Sequence, residues 1–271
     1  LILNKRKEII YYMRFTIKRD EFLKGLQTTS RAVASKAAVA ILTNIKLQLT
    51  EDGLTLTGSN YDLTISTTIP HRIGEIDVIR NYKEGSTLLN AKIITEIARK
   101  MEADEITVDV IDSTIAIVSD KRSEYKLNCI RAEEYPDLDL DSTGSSLVLP
   151  ASVFDLLVDQ TAFAASTKEQ RPILTAVNLE AKGGILTATA TDSARMARKT
   201  IEVFDGVEFV ANIPARMMSE VAHLAEGHSE ISISISDKKA LFTFGKTMVA
   251  TRLVAGDYPN TKNIVPKISN Y

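Results

Sequence analysis

The sequence predicts an α+β protein made of two tandem copies of one domain, each with two helices packed on antiparallel sheet. Three observations predict it. The stretch ILTNIKLQLTEDGLTLTGSNYDL, beginning at Ile41, returns as ILTAVNLEAKGGILTATATDSAR, beginning at Ile173, with no gap between the two. Ile41/Ile173, Leu42/Leu174, Thr43/Thr175, Leu47/Leu179, Leu54/Leu186, Thr55/Thr187 and Thr57/Thr189 are identical, and the same offset sets Phe22 on Phe154, Thr29 on Thr161, Ala32 on Ala164 and Lys36 on Lys168. Next, a Tyr-Pro landmark closes each copy: YKLNCIRAEEYP ends at Pro136 and MVATRLVAGDYP at Pro259, a shorter offset, so the second copy lacks residues in its middle. Last, stretches of period 2 and period 3.6 follow one another in the same order in both copies. The repeat is far longer than the roughly 20–50 residues of a solenoid unit.

In the first copy, RFTIK reads as a short strand. Asp20 is placed to cap the following helix, which turns Phe22, Leu23, Leu26 and Val33 inward. IKLQL and LTLTG alternate around Glu51-Asp52-Gly53, a hairpin signal, and DLTISTTIP is a further strand. Ala91 to Met101 spaces Ile93, Ile94, Ile97, Ala98 and Met101 as a helix, and ITVDV and TIAIV pair across Asp112-Ser113. In the second copy Leu147-Val148-Leu149 stands where Phe15-Thr16-Ile17 stood. Val153 to Ala165 forms the first helix, and Ala215 to Ala225 the second, with Met218, Val221, Ala222 and Ala225 on one side. ISISISDKKALFTFG alternates strictly at Ile231, Ile233 and Ile235, as a half-buried antiparallel strand does. Asp137 to Ser146 is the polar linker between copies. The domains are thus expected at 13–138 and 139–262, with 263–271 opening a linker toward a further unit. Residues 1–12, LILNKRKEIIYY, lie outside the repeat. They lack the apolar centre and cleavage site of a secretory signal; Met13 is expected to be the natural start, with residues 1–12 either a non-native segment or a genuine short extension.

Length and composition fit two ordinary globular domains: 271 residues, 44% hydrophobic and 25% charged. No apolar run approaches the roughly 18 residues of a membrane span. Cys129 is the only cysteine, so an internal disulfide is excluded, a reducing cytoplasm fits, and the thiol is expected to pack among strands. The formal net charge of −2 gives the whole molecule no attractive field for phosphate. Any nucleic-acid contact would need basic residues gathered on one face.

Catalytic constellations are missing. Gly245-Lys246-Thr247 resembles the end of a phosphate loop, but Ala240 stands where that loop needs glycine, and the context is strand. DLDLDSTG resembles a calcium loop, but Ser142 replaces its glycine and Val148 its bidentate acid, which leaves an acidic linker. His71, His223 and His228 lack metal-ligand spacing. Asp192 and Ser193 adjoin Arg195 with no histidine nearby to complete a triad. No cofactor, metal site or catalytic residue is expected, which favours a binding or scaffold protein over an enzyme.

MRFTIKRDEFLKGL, AILTNIKLQLTEDGLTLTGSNYDL, RPILTAVNLE with LTATATDSARMA, and AGDYPNTKNIVPK together resemble the bacterial DNA sliding clamp, the beta subunit of DNA polymerase III. The resemblance runs from Met13 to the C-terminus. Its strongest part is A-T-D-x-x-R followed by G-D-Y-P and V-P-K. It implies the DNA-clamp fold, a non-catalytic accessory subunit of a DNA polymerase, and a head-to-tail homodimeric ring with three similar domains per subunit. Helices would line a hole around double-stranded DNA. The partners implied are the replicative DNA polymerase, the clamp loader, repair polymerases and other proteins bearing short peptide motifs, with no membrane involved. Such a ring closes by joining the first domain of one subunit to the third of its neighbour. This sequence stops where a third copy would begin, so the chain as given is expected to be monomeric or weakly associated.

The family binds partner peptides in a hydrophobic pocket between its second and third domains. By motif, the pocket residues here are Leu174, Thr191, Ser193, Ala194, Arg195 and Met196, then Pro259, Asn263 and Ile264. Two positions depart from the family pattern. Ser193-Ala194 stands where Gly or Ser followed by His is common, and Asn263 where Arg is common; both changes remove polar contacts. For DNA, the resemblance points to Lys24 and Arg31 on one face of the first helix, since seven residues is close to two turns. It also points to Lys36, Lys168 and Arg171 on loops after the first helices, and to Arg99, Lys100 and Arg216 on the second helices. The competing reading is a peptide-binding adaptor of duplicated domains that does not bind DNA. Segregation of the helix lysines and arginines onto one side separates the two.

Overall fold

A computed structural model of the chain describes residues 12–33, 39–112 and 114–261. They form two compact units that divide between Leu140 and Asp141, with Gly245–Ala250 grouping with the first. Unit 1 comprises β1 Met13–Lys18, α1 Arg19–Ser30, β2 Asn44–Thr50, β3 Gly53–Ser59, β4 Leu63–Ile69, β5 Arg72–Ile73, β6 Ile76–Asp77, β7 Ile79–Lys83, β8 Gly85–Asn90, α2 Ala91–Lys100, β9 Glu105–Asp112, β10 Ile115–Ser119 and β11 Glu124–Asn128. Then follow β12 Ser145–Pro150, α3 Ala151–Asp159, β13 Ala176–Lys182, β14 Ile185–Thr191, β15 Met196–Glu202, β16 Phe209–Pro214, α4 Ala215–Ala225, β17 Glu230–Ile235, β18 Lys239–Phe244 and β19 Thr247–Arg252.

The two units share one topology. In unit 1 the strands run β4-β3-β2-β8 and β11-β10-β9-β1-β7; in unit 2 they run β15-β14-β13-β16 and β18-β17-β12, all antiparallel. The expected hairpin at Glu51-Asp52 closes with Thr50 opposite Gly53. Phe15 faces Val108 and Leu147 faces Ile233, so the repeated first strands enter equivalent places. Unit 1 spends residues 70–84 between β4 and β8, where unit 2 needs only 203–208 between β15 and β16. The residues missing from the second copy are therefore mainly the β5–β6 hairpin and β7.

Each core follows from the two periodicities. Phe15, Ile17, Leu47, Leu54, Leu56, Ile106 and Val108 come from alternate strand positions and meet Phe22, Leu26, Ile94 and Ala98 from the helices. Cys129 is buried in the same core, and burial pushes its thiol pKa up. In unit 2, Met218, Val221, Ala222 and Ala225 line the buried side of α4, which has the bounds read from sequence.

Three details differ from the sequence reading. Asp20 does not cap α1. The helix already begins at Arg19, and Asp20 sits in the first turn, accepting from Arg19 Nη1 at 3.1 Å. There its charge still favours the positive helix end. The linker is shorter than Asp137 to Ser146, because Ser145 and Ser146 already pair with Ile235 and Ser234. The first helix of unit 2 ends at Asp159, not Ala165, and a separate 3-10 turn covers Ala162–Ala164. In unit 1 the end of α1 lies close against β3: a Cβ on Gly58 would sit 2.4 Å from the Thr29 carbonyl oxygen, so that approach needs glycine. By the repeat offset, Ala190 stands at that position in unit 2. Val33 is half-buried at the end of the described part of this region.

Candidate functional site

The end of β14 turns into β15 through Asp192–Arg195, and the sequence dictates how. Aspartate and threonine bend a backbone by bonding their own neighbours. Asp192 Oδ1 accepts the Ala194 and Arg195 N–H groups at 3.0 Å each. Thr191 Oγ1 accepts the Ser193 N–H at 3.2 Å and donates to the Arg195 carbonyl at 2.6 Å. Ser193 takes a left-handed backbone, φ +78°. The N–H groups of Arg195 and Ala194, followed by the Arg195 guanidinium, hold the Asp192 carboxyl below the ordinary aspartate range.

A tyrosine latches this loop to the sheet. The hydroxyl of Tyr258, from the G-D-Y-P stretch, accepts the Thr191 N–H at 3.0 Å and donates to the Ala176 carbonyl at 3.4 Å. Burial raises its pKa. Pro259 follows directly and is half-buried. Leu174 lies buried in the turn Pro172–Thr175, and its carbonyl accepts the Ser166 N–H at 2.8 Å. Arg195 Nε lies 3.0 Å from Asp192 Oδ2, and its guanidinium carbon sits 5.9 Å from the ring centre of Phe163, a phenylalanine 60% exposed. Arg171 Nη1 donates to Ser193 Oγ at 3.2 Å.

Of the residues named for the peptide pocket, the structure gathers Leu174, Thr191, Ser193, Ala194, Arg195, Met196 and Pro259 around this loop. Thr191 is buried, Met196 half-buried, and Ser193, Ala194 and Arg195 exposed. Asn263 and Ile264 lie outside the described residues. Three participants escaped the sequence reading: Tyr258, Phe163, and Arg171, which was assigned to DNA and also bonds Ser193 of this loop. The repeated Tyr-Pro landmark was the available signal for Tyr258. For Phe163 and Arg171 no sequence signal pointed here.

Unit 1 carries the same loop between β3 and β4. Asn60 Oδ1 accepts the Asp62 and Leu63 N–H groups at 3.0 and 2.8 Å, Ser59 Oγ accepts the Tyr61 N–H at 3.1 Å, and Tyr61 has φ +73°. Tyr135 is its latch, bonded to the Ser59 backbone and donating to the Asn44 carbonyl at 3.5 Å. Burial pushes Tyr135 up to about 12.

The residues named for DNA are all exposed where described: Lys24, Arg31, Arg99, Lys100, Lys168, Arg171 and Arg216. Lys36 lies outside the described residues. In unit 1, α1 and α2 pack side by side, with Ser30 Oγ 3.3 Å from Thr95 Oγ1, so Lys24, Arg31, Arg99 and Lys100 belong to one helical layer. Arg99 also pairs with Glu96. The matching helices of unit 2 expose Asp155 and Asp159 on α3 and Arg216 on α4.

Two α+β modules with this shared strand order define a clamp fold. Residues 13–139 match the model of the DNA polymerase III beta subunit, N-terminal domain, and residues 148–260 match that of its central domain. The chain belongs to the beta sliding clamp family and is a clamp of DNA replication. It is similar to the beta sliding clamp of Halalkalibacterium halodurans, 36% identical over 94% of this chain and 68% of the relative. It is also similar to that of Bacillus subtilis, 31% identical over 95% and 69%. Among solved structures it resembles the Bacillus subtilis DNA polymerase sliding clamp, with a TM-score of 0.91, 31% identity and coverage of 95% and 69%. It also resembles the beta subunit from DNA polymerase of Streptococcus pyogenes, with a TM-score of 0.88, 31% identity and coverage of 94% and 68%.

Proposed function

We propose that this chain docks short peptides of the replicative polymerase, the clamp loader and repair polymerases on the Thr191–Met196 loop. The observation that carries this is the state of the loop's polar backbone. Its turn is closed by Thr191, Asp192 and Tyr258. What remains for a ligand is the exposed side chains of Ser193, Ala194 and Arg195, with the half-buried Met196 next in the chain and the half-buried Pro259 next to the Tyr258 latch. Such a surface suits an apolar anchor with a polar rim. Asn263 and Ile264 are assigned to the same site by motif alone.

The clamp then acts on duplex DNA as a tether, not as a catalyst. A net charge of −2 cannot support tight electrostatic binding, and non-specific DNA contacts are only about 10⁻⁴–10⁻⁶ M at physiological salt. Long residence on DNA is better served by encirclement in a ring of several modules, with a modest basic lining. Lys24, Arg31, Arg99 and Lys100, with Lys36, Lys168, Arg171 and Arg216, are the proposed lining. The working compartment is the cytoplasm; among the described residues no helix is long and apolar enough to cross a membrane.

Fluorescence anisotropy with a labelled peptide from the end of a replicative polymerase tests the docking site. Met196→Ala and Arg195→Ala are each expected to weaken binding about tenfold, within the range of a hot-spot truncation. Unchanged affinity in both would reject the site. For DNA, Lys24→Glu combined with Lys100→Glu should weaken duplex binding and flatten its dependence on salt. An unaltered salt slope would remove these lysines from the lining.

A further inference from the structure

The first strand of unit 1 has a neighbour on each side, and the first strand of unit 2 has only one. β1 lies between β9 and β7, whereas β12 pairs with β17 and ends its sheet. The shorter second copy has no β7. Successive residues of an antiparallel strand bond to opposite sides. Arg19 donates its N–H to the Asp104 carbonyl at 2.8 Å, and Ala151 donates to that of Ser229 at 3.1 Å, so every second residue counted back from them bonds β9 or β17. Thr16 and Arg14 therefore bond β7. Their counterparts by the repeat offset, Val148 and Ser146, turn their N–H and C=O groups to an open edge. Val148 is 57% exposed, and Ser146 is exposed as well.

The charges around this edge are left over in the same way. In unit 1, Glu105 pairs with Lys18 from β1 and with Arg80 from β7. Its counterpart is Glu230, since Lys18 lies opposite Glu105 and Pro150 opposite Glu230. Pro150 brings no charge, β7 is absent, and among the described residues no basic side chain pairs with the exposed Glu230. At its other end the edge opens into a cleft of about 650 Å³, lined by Ser145, Phe209, Val210 and Ile235 and by the exposed acids Glu208 and Asp237. Pro150 also limits the edge. It stands where the Lys18 N–H donates to the Val78 carbonyl at 2.9 Å, and it has no N–H to give, so the edge suits a short guest.

We propose that the β12 edge of unit 2 accepts a short, extended, basic segment of a partner protein as an added antiparallel strand, in the place that β7 takes in unit 1. Main-chain bonds to Ser146 and Val148 hold the segment. Basic residues at its two ends meet Glu230 on one side and Glu208 with Asp237 on the other. β7 itself, IRNYK, supplies the pattern: Arg80 lies opposite Thr16 and Lys83 opposite Arg14, the counterparts of Val148 and Ser146. The site uses no residue of the Thr191–Met196 loop.

The test adds the synthetic peptide VIRNYK, residues 78–83, to the whole chain and follows amide exchange by NMR. In the free chain Ser146 and Val148 should exchange about tenfold or more faster than Arg14 and Thr16, and the peptide should slow them in a saturable way. A peptide with Arg80→Glu and Lys83→Glu should bind about five- to tenfold more weakly, and Glu230→Gln in the chain should weaken binding about two- to fivefold. Val148→Pro removes only the outward N–H and should abolish saturation, with circular dichroism confirming the fold. Four results overturn the proposal: Ser146 and Val148 as protected in the free chain as Arg14 and Thr16, no saturation at millimolar peptide, equal binding of the charge-reversed peptide, or binding that survives Val148→Pro. Protection that grows with chain concentration in the absence of peptide would assign the edge to a second copy of the chain, and overturns it too.

Discussion

The loop after β3 and the loop after β14 have the same hydrogen-bond plan and differ in exposure at their last residue and at their latch. Leu63 in the first is 3% exposed, while its counterpart Arg195 is open to solvent. Tyr135 is 6% exposed and its counterpart Tyr258 only half-buried. Asn60 turns the first loop and Asp192 the second. The difference shows that a polar turn of this kind is a scaffold, indifferent to what its side chains do. One copy ends the turn on a buried leucine; the other ends it on an exposed arginine.

Exchanging the counterparts gives the largest effect. Leu63→Arg would bury an unpaired charge and should lower unfolding stability by about 3–5 kcal/mol, whereas Arg195→Leu should change it by no more than about 0.5 kcal/mol. Urea denaturation reads both, and equal effects would break the contrast. Next come the latches. Tyr135→Phe leaves a buried Ser59 amide without its partner and should cost about 1–3 kcal/mol, while Tyr258→Phe, nearer to water, should cost about 1 kcal/mol or less. A reversed order in thermal unfolding would mean that exposure does not govern the latch. Smaller still, Ser193→Gly relieves a left-handed serine and should raise stability by up to about 1 kcal/mol. A loss instead would mean that the Arg171 bond outweighs the strain.

Acid should separate the loops most finely. The Asp192 pKa is depressed, so its contribution is complete above the ordinary aspartate value and is lost as the pH falls through the lower folded value. Asn60 does not titrate. Amide exchange followed by NMR should therefore show Ala194 and Arg195 losing protection in acid below the ordinary aspartate range, while Asp62 and Leu63 keep theirs. Matching losses in both loops would assign the effect to general unfolding.

Much of this was legible because the chain is duplicated. A strand pattern seen twice at one offset is far less ambiguous than a pattern seen once, and α4 and the β2–β3 hairpin were read correctly for that reason. The repeat misled where the copies differ: α1 runs to Ser30, but α3 stops at Asp159 and a separate 3-10 turn follows, and the close approach of β3 to the end of α1 at Gly58 exists only in three dimensions. At the docking loop, motif placed Thr191 to Met196. Phe163 and Arg171 reach it across the fold, so nothing local in the sequence could have announced them.

Closure of the Thr191–Arg195 turn before any partner arrives has a kinetic consequence. Little backbone freedom is left to lose on contact, so encounter rates should vary little from one peptide to another, and differences in affinity should appear as differences in residence time. A docking post of the proposed kind would let successive enzymes take turns on the same template, with the length of each stay written in the side chains of the visitor.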